Sequence, residues 1–149
     1  MKILTFHAQK EMEQYFSFSE IVDFLYKNLD QYGDKKEDIA KCLRYAFAPE
    51  RGGAVHVGFS ESDTERQVVL GVVVTNQTGM QGYIPENILV YIAINQQFRG
   101  KGFGKKMMLH ALAHTEGDIA LHVEKNNPAR FLYEKLGFET PYLEMRLKR

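Results

Sequence analysis

The sequence predicts a mixed α/β (α+β) fold, a mostly antiparallel central sheet flanked by helices. The first observation is a set of strand-like runs that follow one another through short turns, which implies antiparallel pairing. The second is a late change of pattern to strand, helix, strand, which implies a crossover and helices on the sheet faces. The third is size. At 149 residues the chain fits one domain over 1–149, able to bury roughly 70% of its unfolded surface.

Residues 2–7 read as a short strand. Ser17 and Glu20 have capping-box spacing ahead of Ile21, Phe24, Leu25 and Leu29, predicting a helix over 18–30. Asp34 and Glu37 repeat that signature ahead of Ile39, Cys42, Leu43, Ala46 and Phe47, and Pro49 limits this second helix. Val55, Val57 and Phe59 then alternate with Ala54, His56 and Gly58 as a strand. A polar turn from Ser60 to Arg66 leads into Val68–Val74, apolar on both faces as a central strand is. Gly71 within it signals a bulge or a close backbone approach. The stretch from Asn76 to Asn87 holds Gly79, Gly82 and Pro85 and reads as a mobile surface loop before a strand over Ile88–Ile94. A glycine-rich turn, Arg99-Gly100-Lys101-Gly102-Phe103-Gly104, opens a helix carrying Met107, Met108, Ala111 and Leu112. Ile119–Val123 form a strand, and a helix over 128–136 follows, with Asn127 as N-cap, Pro128 at its first position and Gly137 as its stop. A last strand is predicted around Leu143–Leu147.

Composition narrows the function. Hydrophobic residues make up 44% and charged residues 26%, as in ordinary globular proteins. Nineteen Lys and Arg balance nineteen Asp and Glu, which argues against a nucleic-acid or anionic-membrane partner. Cys42 is the only cysteine, so an internal disulfide is impossible; on its apolar helix stripe it reads as a buried small side chain. No apolar run reaches the length of a secretory or membrane-spanning segment, so the expectation is a cytoplasmic protein. His110 and His114 stand one turn apart, but the glutamate of HExxH is absent and no third ligand is evident, so no metal is expected.

Three glycines between a buried strand and an amphipathic helix suggest backbone amides approaching an anion. The first-turn amides of a helix lack partners and carry partial positive charge, and Arg99, Lys101, Lys105 and Lys106 add full charges. A phosphate or pyrophosphate cradle is one reading; a turn that merely permits tight helix–sheet packing is the other. Spacing excludes two familiar loops: position 105 is Lys where a Walker loop needs Gly, and GxGxG is not the dinucleotide GxGxxG.

Gln97-Phe98-Arg99-Gly100-Lys101-Gly102 matches the Q/R-x-x-G-x-G/A motif of the GNAT N-acetyltransferases. The run from Asn126 to Phe138, with Asn126, Ala129, Tyr133, Lys135, Gly137 and Phe138, resembles that family's N-x-x-A-x-x-x-Y signature ahead of a K-x-G-F turn. The element order is similar over nearly the whole chain. The resemblance implies a GNAT-like sheet, acetyl-CoA as donor co-substrate, and direct attack of a primary amine in a ternary complex. It implies that the strand backbone near Ile92, Ala93 and Ile94 receives the pantetheine and the thioester carbonyl. It makes Gln97, Phe98, Arg99, Gly100, Lys101, Gly102, Phe103, Gly104 and Lys105 cofactor-binding, with the pyrophosphate on amides from about Arg99 to Gly104. Asn126 would face the pantetheine or cysteamine region, and Ala129 shares a helical face with Asn126 and Tyr133 by i, i+3, i+7 spacing.

Tyr133 is the candidate acid for the departing thiolate; from position alone it would be a helix tyrosine packing on the sheet. A family base belongs at Ile88 or Val90, and both are apolar. Glu86 and Glu124 remain as bases acting through water or as surface carboxylates. A non-catalytic acyl-CoA-binding module, or an enzyme using another acyl donor, are the alternatives. The acceptor, a small molecule or a peptide amine, would meet residues 28–38 and the segment after Gly137. Only Glu139-Thr140-Pro141 separate Phe138 from Tyr142, so the expectation is an open acceptor cleft, with a second copy in a homodimer as the candidate to complete it.

Overall fold

In the computed structural model, which describes residues 1–61 and 67–149, one five-stranded sheet runs in sequence order. The expected turn from Ser60 to Arg66 lies mostly outside the described residues. β1 (Lys2–Phe6), β2 (Gly53–Ser60), β3 (Val68–Gln77) and β4 (Asn87–Ile94) are antiparallel neighbours, and β5 (Ile119–Leu121) joins β4 in parallel. Short α1 (Gln9–Glu13), α2 (Phe18–Leu29) and α3 (Lys36–Phe47) cover one face; α4 (Phe103–Ala113) and α5 (Ala129–Lys135) cover the other. Val72 and Val74 of β3 enter the core under α1–α3, while Val73 enters the core under α4 and α5. A strand buried on both faces explains its unbroken apolar run.

The local signals mostly act as read. Ser17 Oγ accepts the Glu20 N–H at 3.1 Å and starts α2. Asn127 Oδ1 accepts the Ala129 N–H at 2.9 Å at the head of α5. Gly137 (φ 96°) ends that helix in a Schellman turn: its N–H meets Glu134 C=O, and the Phe138 N–H meets Tyr133 C=O. Gly71 marks a close approach. It pairs with Gly58 across β2, and a Cβ on either would crowd the Met107 side chain, at 3.1 Å and 2.6 Å respectively. Two facing glycines therefore open the hollow that seats α4. The β2–β3 register shifts beside this pair, leaving Leu70 as the extra residue.

Other expectations need correction. Asp34 does not cap α3; Lys35 holds that position without a side-chain bond, and Asp34 Oδ2 accepts from the Tyr91 hydroxyl at 2.5 Å. A buried phenol requires an acceptor, and this one outbids the helix end. β5 has three residues rather than five. The strand expected at Leu143–Leu147 does not form: Leu143, Met145 and Leu147 are 86%, 90% and 79% exposed, and no strand among the described residues pairs with them. Helix α1 was not anticipated, because a single turn held by the fully buried Met12 shows no periodicity. The loop after β3 begins only at Thr78, whose N–H and Oγ1 close its neck on Glu86 C=O and Pro85 C=O. No helix among the described residues is long and apolar enough to cross a membrane.

His56 is fully buried between β1 and α4. Its Nδ1 shares Thr5 Oγ1 (2.9 Å) with His110 Nε2 (2.8 Å), while its own Nε2 has no partner. His110 and His114 stack at 4.0 Å beside it, and His7 follows directly on β1, the strand that carries Thr5. Burial first, then His110, His114 and His7, push the His56 imidazole down to about 3. An unfolded histidine titrates near 6.5. Between those values the unfolded chain binds a proton that the folded chain refuses, so stability is complete above pH 6.5 and lost as pH falls. Unfolding free energy measured by urea titration should fall by about 1.4 kcal/mol per pH unit for His56 below pH 6. His56→Val should flatten that slope; an unchanged slope would show that other groups set it.

Candidate active site

β4 is paired along its β3 edge but meets β5 over only three residues, Asn87–Leu89 against Ile119–Leu121. Val74 pairs with Tyr91 and Thr75 with Leu89, so Val90 is an extra residue, a bulge. The bulge turns the alternation over. Leu89 packs under α4, Val90 and Tyr91 both pack toward α2 and α3, and Ile92 and Ile94 return to the α4 side. From Val90 to Ile94 the second edge of β4 has no strand partner among the described residues. Its outward N–H and C=O groups are a template for an extended chain.

At the end of that edge the backbone enters a 3₁₀ turn, Gln96–Phe98, and then the glycine turn. Asn95 Oδ1 accepts the Gln97 N–H at 3.1 Å, and Asn95 Nδ2 donates to Val69 C=O at 3.2 Å. Asn28, at the buried end of α2, is the centre of the next layer. Its Oδ1 accepts the Gln96 N–H at 3.0 Å, its Nδ2 donates to Phe24 C=O at 2.9 Å, and its own carbonyl accepts Arg99 Nη2. Arg99 Nε also donates to Ile94 C=O at 3.3 Å. The Arg99 side chain thus holds the turn in place, where the sequence suggested a charge offered to an anion. Lys101, Lys105 and Lys106 are exposed, with no carboxylate partner among the described residues.

Gly100 and Gly102 adopt φ 78° and 81°, left-handed values that glycine takes without strain, with open space where a Cβ would stand. The Lys106 N–H closes the first helical bond onto Gly102 C=O at 3.2 Å. The amides of Phe103, Gly104 and Lys105 therefore head α4 without intrahelical acceptors. Gly104 faces α5, where a Cβ would lie 3.6 Å from Leu132.

Tyr133 of α5 is 7% exposed, packed with Leu89, Met107, Met108 and Ala111, its ring edge-on to Phe138 at 6.0 Å. Burial pushes its phenol up to about 12. Ala129 is half-buried against the same cluster, and Asn126 is exposed. The Asn126 carbonyl accepts a 3.5 Å bond from Tyr32. Tyr32 ends a 3₁₀ turn, Asp30–Tyr32, that follows α2. This turn reaches β4 as well, through Asp34 and Tyr91. Burial and the carboxylate of Asp34 hold the Tyr91 phenol well above its usual range.

The base candidates separate clearly. Glu86 Oε2 accepts the Asp118 N–H at 2.9 Å and lies six residues from Ile92, about 20 Å along an extended strand. Glu124 is exposed, and its carbonyl accepts the Asn127 N–H. Ile88 and Val90 offer no titratable group. Asp34 and Asn28 escaped the sequence reading: one looked like a helix cap and the other like an unremarkable polar residue. Cys42 is buried, its thiol pushed up to about 12. No group of three His, Cys, Asp or Glu among the described residues is arranged to hold a metal ion.

A family model for the acetyltransferase (GNAT) domain matches residues 53–140, more than half of the chain and all of the site elements from β2 to α5. The chain belongs to the GNAT acetyltransferases. A 5-NmdU N-acetyltransferase of Pseudomonas phage PaMx11 is 41% identical over 56 residues, 36% of this chain and 40% of the phage protein. Among solved structures, the NatC complex bound to Gag peptide and CoA contains a chain similar at TM-score 0.65 and 20% identity, over 100% of this chain and 88% of that one. The aminoglycoside N-acetyltransferase AAC(6')-Iy in complex with CoA is similar at TM-score 0.67 and 13% identity, over 99% and 93%. At these identities the two structures establish the shared fold.

Asn28 ties α2 of this GNAT domain to its glycine turn. Asn28→Ala removes the acceptor of the Gln96 N–H and the donor to Phe24 C=O, at a cost of about 1–2 kcal/mol. Thermal unfolding should show a midpoint several degrees lower, with Asn28→Asp, which keeps an acceptor oxygen, intermediate. An alanine variant as stable as the native chain would mean that the turn holds itself.

Proposed function

We propose that this GNAT domain transfers an acetyl group from acetyl-CoA to a primary amine, by direct attack in a ternary complex. The observation that carries the reading is that an unpaired strand edge, Val90–Ile94, runs straight into an amide-rich turn headed by two left-handed glycines. An extended polar arm ending in a pyrophosphate fits that sequence of features: the edge takes the arm, and the turn takes the anion. On this reading Ile92, Ala93 and Ile94 line the pantetheine and thioester. The pyrophosphate is held by amides from Arg99 to Gly104, with Lys101, Lys105 and Lys106 adding charge. Asn126 and Ala129 form the opposite wall. Residues 1–149 then act as one catalytic domain, in the cytoplasm and without a metal.

Bound acetyl-CoA supplies an acetyl thioester, whose carbon is open to a neutral amine. Backbone N–H groups near Ile92–Ile94 are placed to donate to the carbonyl oxygen as charge builds there, and one such donor is worth ~3 kcal/mol. Tyr133, with its phenol near 12, stays protonated throughout the neutral range. A phenol that weak gives its proton up reluctantly to a sulfur whose conjugate acid lies near 8.5. Tyr133 therefore acts by holding a hydrogen bond to the departing sulfur while solvent completes protonation. With Ile88 and Val90 apolar, Asp34 is the carboxylate on the acceptor side of β4, fixed through its bond from Tyr91. It attracts a cationic amine and accepts its proton through water.

A thermal-shift titration with acetyl-CoA, desulfo-CoA, ATP and NADH tests the donor. Saturation at a hundred times the dissociation constant stabilises by ~2.7 kcal/mol, several degrees for a chain of this size. Stabilisation confined to the two CoA compounds is expected; a response to NADH alone, or none to CoA, would sink the reading. Gly102→Glu should abolish the shift by placing bulk and negative charge in the anion cradle. Gly102→Ala meets open space, costs about 1–2 kcal/mol of left-handed strain, and should retain it. Tyr133→Phe should lower turnover at least tenfold on any amine that supports activity, with the CoA shift intact. Equal rates would remove Tyr133 from the chemistry.

A further inference from the structure

Three histidines and a threonine gather where the tail of α4 meets β1 and β2. His56 of β2 is fully buried, and Thr5 stands opposite it in β1. Thr5 Oγ1 lies 2.9 Å from His56 Nδ1 and 2.8 Å from His110 Nε2. His110 is half-buried and stacks at 4.0 Å on His114, which is exposed. The titratable groups that face His56 are His110 and His114 of α4, with His7 just beyond β1. Its strand partners, Thr5 in β1 and Val73 in β3, carry no charge.

A hydroxyl has one proton to give. Thr5 can donate to only one of the two rings, so at least one ring must donate to Thr5. Neutral rings use every proton when His56 gives its Nδ1–H to Thr5 and Thr5 gives its own to His110 Nε2. This direction leaves His56 Nε2, which has no partner, as a bare acceptor. The reverse direction would make the same atom a buried N–H without an acceptor, the rarer defect in folded proteins. His114 stands outside the chain, because its Nδ1–H is given to His110 C=O at 2.8 Å.

Acid reaches this chain from one end. His56 is sealed, whereas His110 has access to solvent and sits in the last turn of α4, where the free carbonyls favour a cation. Burial, then His114, hold the His110 imidazole below the ordinary histidine value of about 6.5. Once protonated, His110 carries hydrogen on both nitrogens and no longer accepts from Thr5. Its Nε2–H then points at Thr5, and the Thr5 hydroxyl turns to His56 Nδ1. In a transient opening His56 yields its Nδ1 proton to water and takes one from water on Nε2. The net uptake is one proton at His110, and the result is an orphaned N–H in the core.

We propose that Thr5, His56 and His110 form an acid-sensitive latch that holds the tail of α4 on the sheet, released when His110 takes up a proton and the hydrogen-bond chain reverses. Release loosens the last turn of α4 and β1, a border strand of the sheet, while Met107 and Met108 keep the earlier turns of α4 in their core. The latch stands independently of the acetyl-transfer reading, because its test involves no acyl donor.

Imidazole nitrogen-15 shifts of the full chain, recorded from pH 7.5 to 5, read the chain directly and need no variant. His56 Nδ1 should pass from a protonated to an unprotonated shift in step with the titration of His110, with His56 neutral throughout. Backbone hydrogen exchange, corrected for its intrinsic pH dependence, reads the opening. Protection of 2–6 and 112–115 should fall about tenfold between pH 7.5 and 5.5, the size of one orphaned buried donor, with β3 and β4 unchanged. Thr5→Val removes the relay while keeping a β-branched strand residue, and its protection should stay level over that range. A His56 tautomer that ignores His110 overturns the proposal. So does a loss of protection spread evenly over the sheet, which burial of His56 alone would produce, or a local loss that Thr5→Val retains.

Discussion

The short parallel pairing of β4 with β5 is the constraint on which the rest of the structure turns. Three residue pairs join the two strands, and β4 then continues for five more residues with one edge unclaimed. The Val90 bulge sits where the pairing ends, and a bulge increases local twist and redirects the strand. A longer β5 would close this edge and leave an ordinary sheet. The bulge also decides which side chains reach which face: were Leu89, Val90 and Tyr91 in regular alternation, Tyr91 would turn toward α4 and lose Asp34. A one-residue slip in the pattern therefore separates a face for the proposed donor from a face for the acceptor.

Holding the unclaimed edge rigid falls to groups that look unrelated in the sequence. Asn28 and Arg99, 71 residues apart, meet through a carbonyl, a side-chain amide and a guanidinium, and between them fix the exit of β4. Gly58 and Gly71 form the hollow that receives Met107 and lets α4 sit close enough to begin where β4 stops. The turn between them needs two left-handed residues, and open space surrounds both. Pre-arranged amides lose little further freedom on binding, which is how a small backbone site gains affinity.

Much of this was legible because some signals are local. Ser17, Asn127 and Gly137 act within one helical turn of themselves, and the sequence alone places them. The glycine turn and the Asn126–Phe138 run are contiguous, so their spacing survives without a structure. What escaped depends on tertiary neighbours. Asp34 has the spacing of a helix cap, and only the approach of Tyr91 diverts it. Asn28 looks like any polar residue near a helix end until Gln96 and Arg99 fold onto it. His56 alternates with valines as an exposed strand residue would, yet it is sealed against two other histidines. The expected last strand shows the reverse case: the apolar alternation of Leu143, Met145 and Leu147 is present, yet no strand among the described residues pairs with it.

The division between backbone and side chain explains why the family was readable and the acceptor was not. In the proposed donor site, an unclaimed strand edge and the amides of a glycine turn would recognise their ligand through groups that every residue carries. Substitution can therefore run freely through Ile92–Ile94 and Phe98–Lys105 as long as chain direction and the left-handed positions are kept. That tolerance fits a shared fold at 13–20% identity. An acceptor, by contrast, must be told from other amines by side chains, and on the proposed reading those stand on the turn after α2, where Tyr32 and Asp34 reach across to Asn126 and Tyr91. Two hydrogen bonds, one of them 3.5 Å long, position that turn. On that reading specificity rests on a lightly fixed segment, while the proposed donor site rests on one braced by Asn28, Asn95 and Arg99. A new acceptor could then be acquired by changing a few residues between Asp30 and Lys35 without disturbing the sheet.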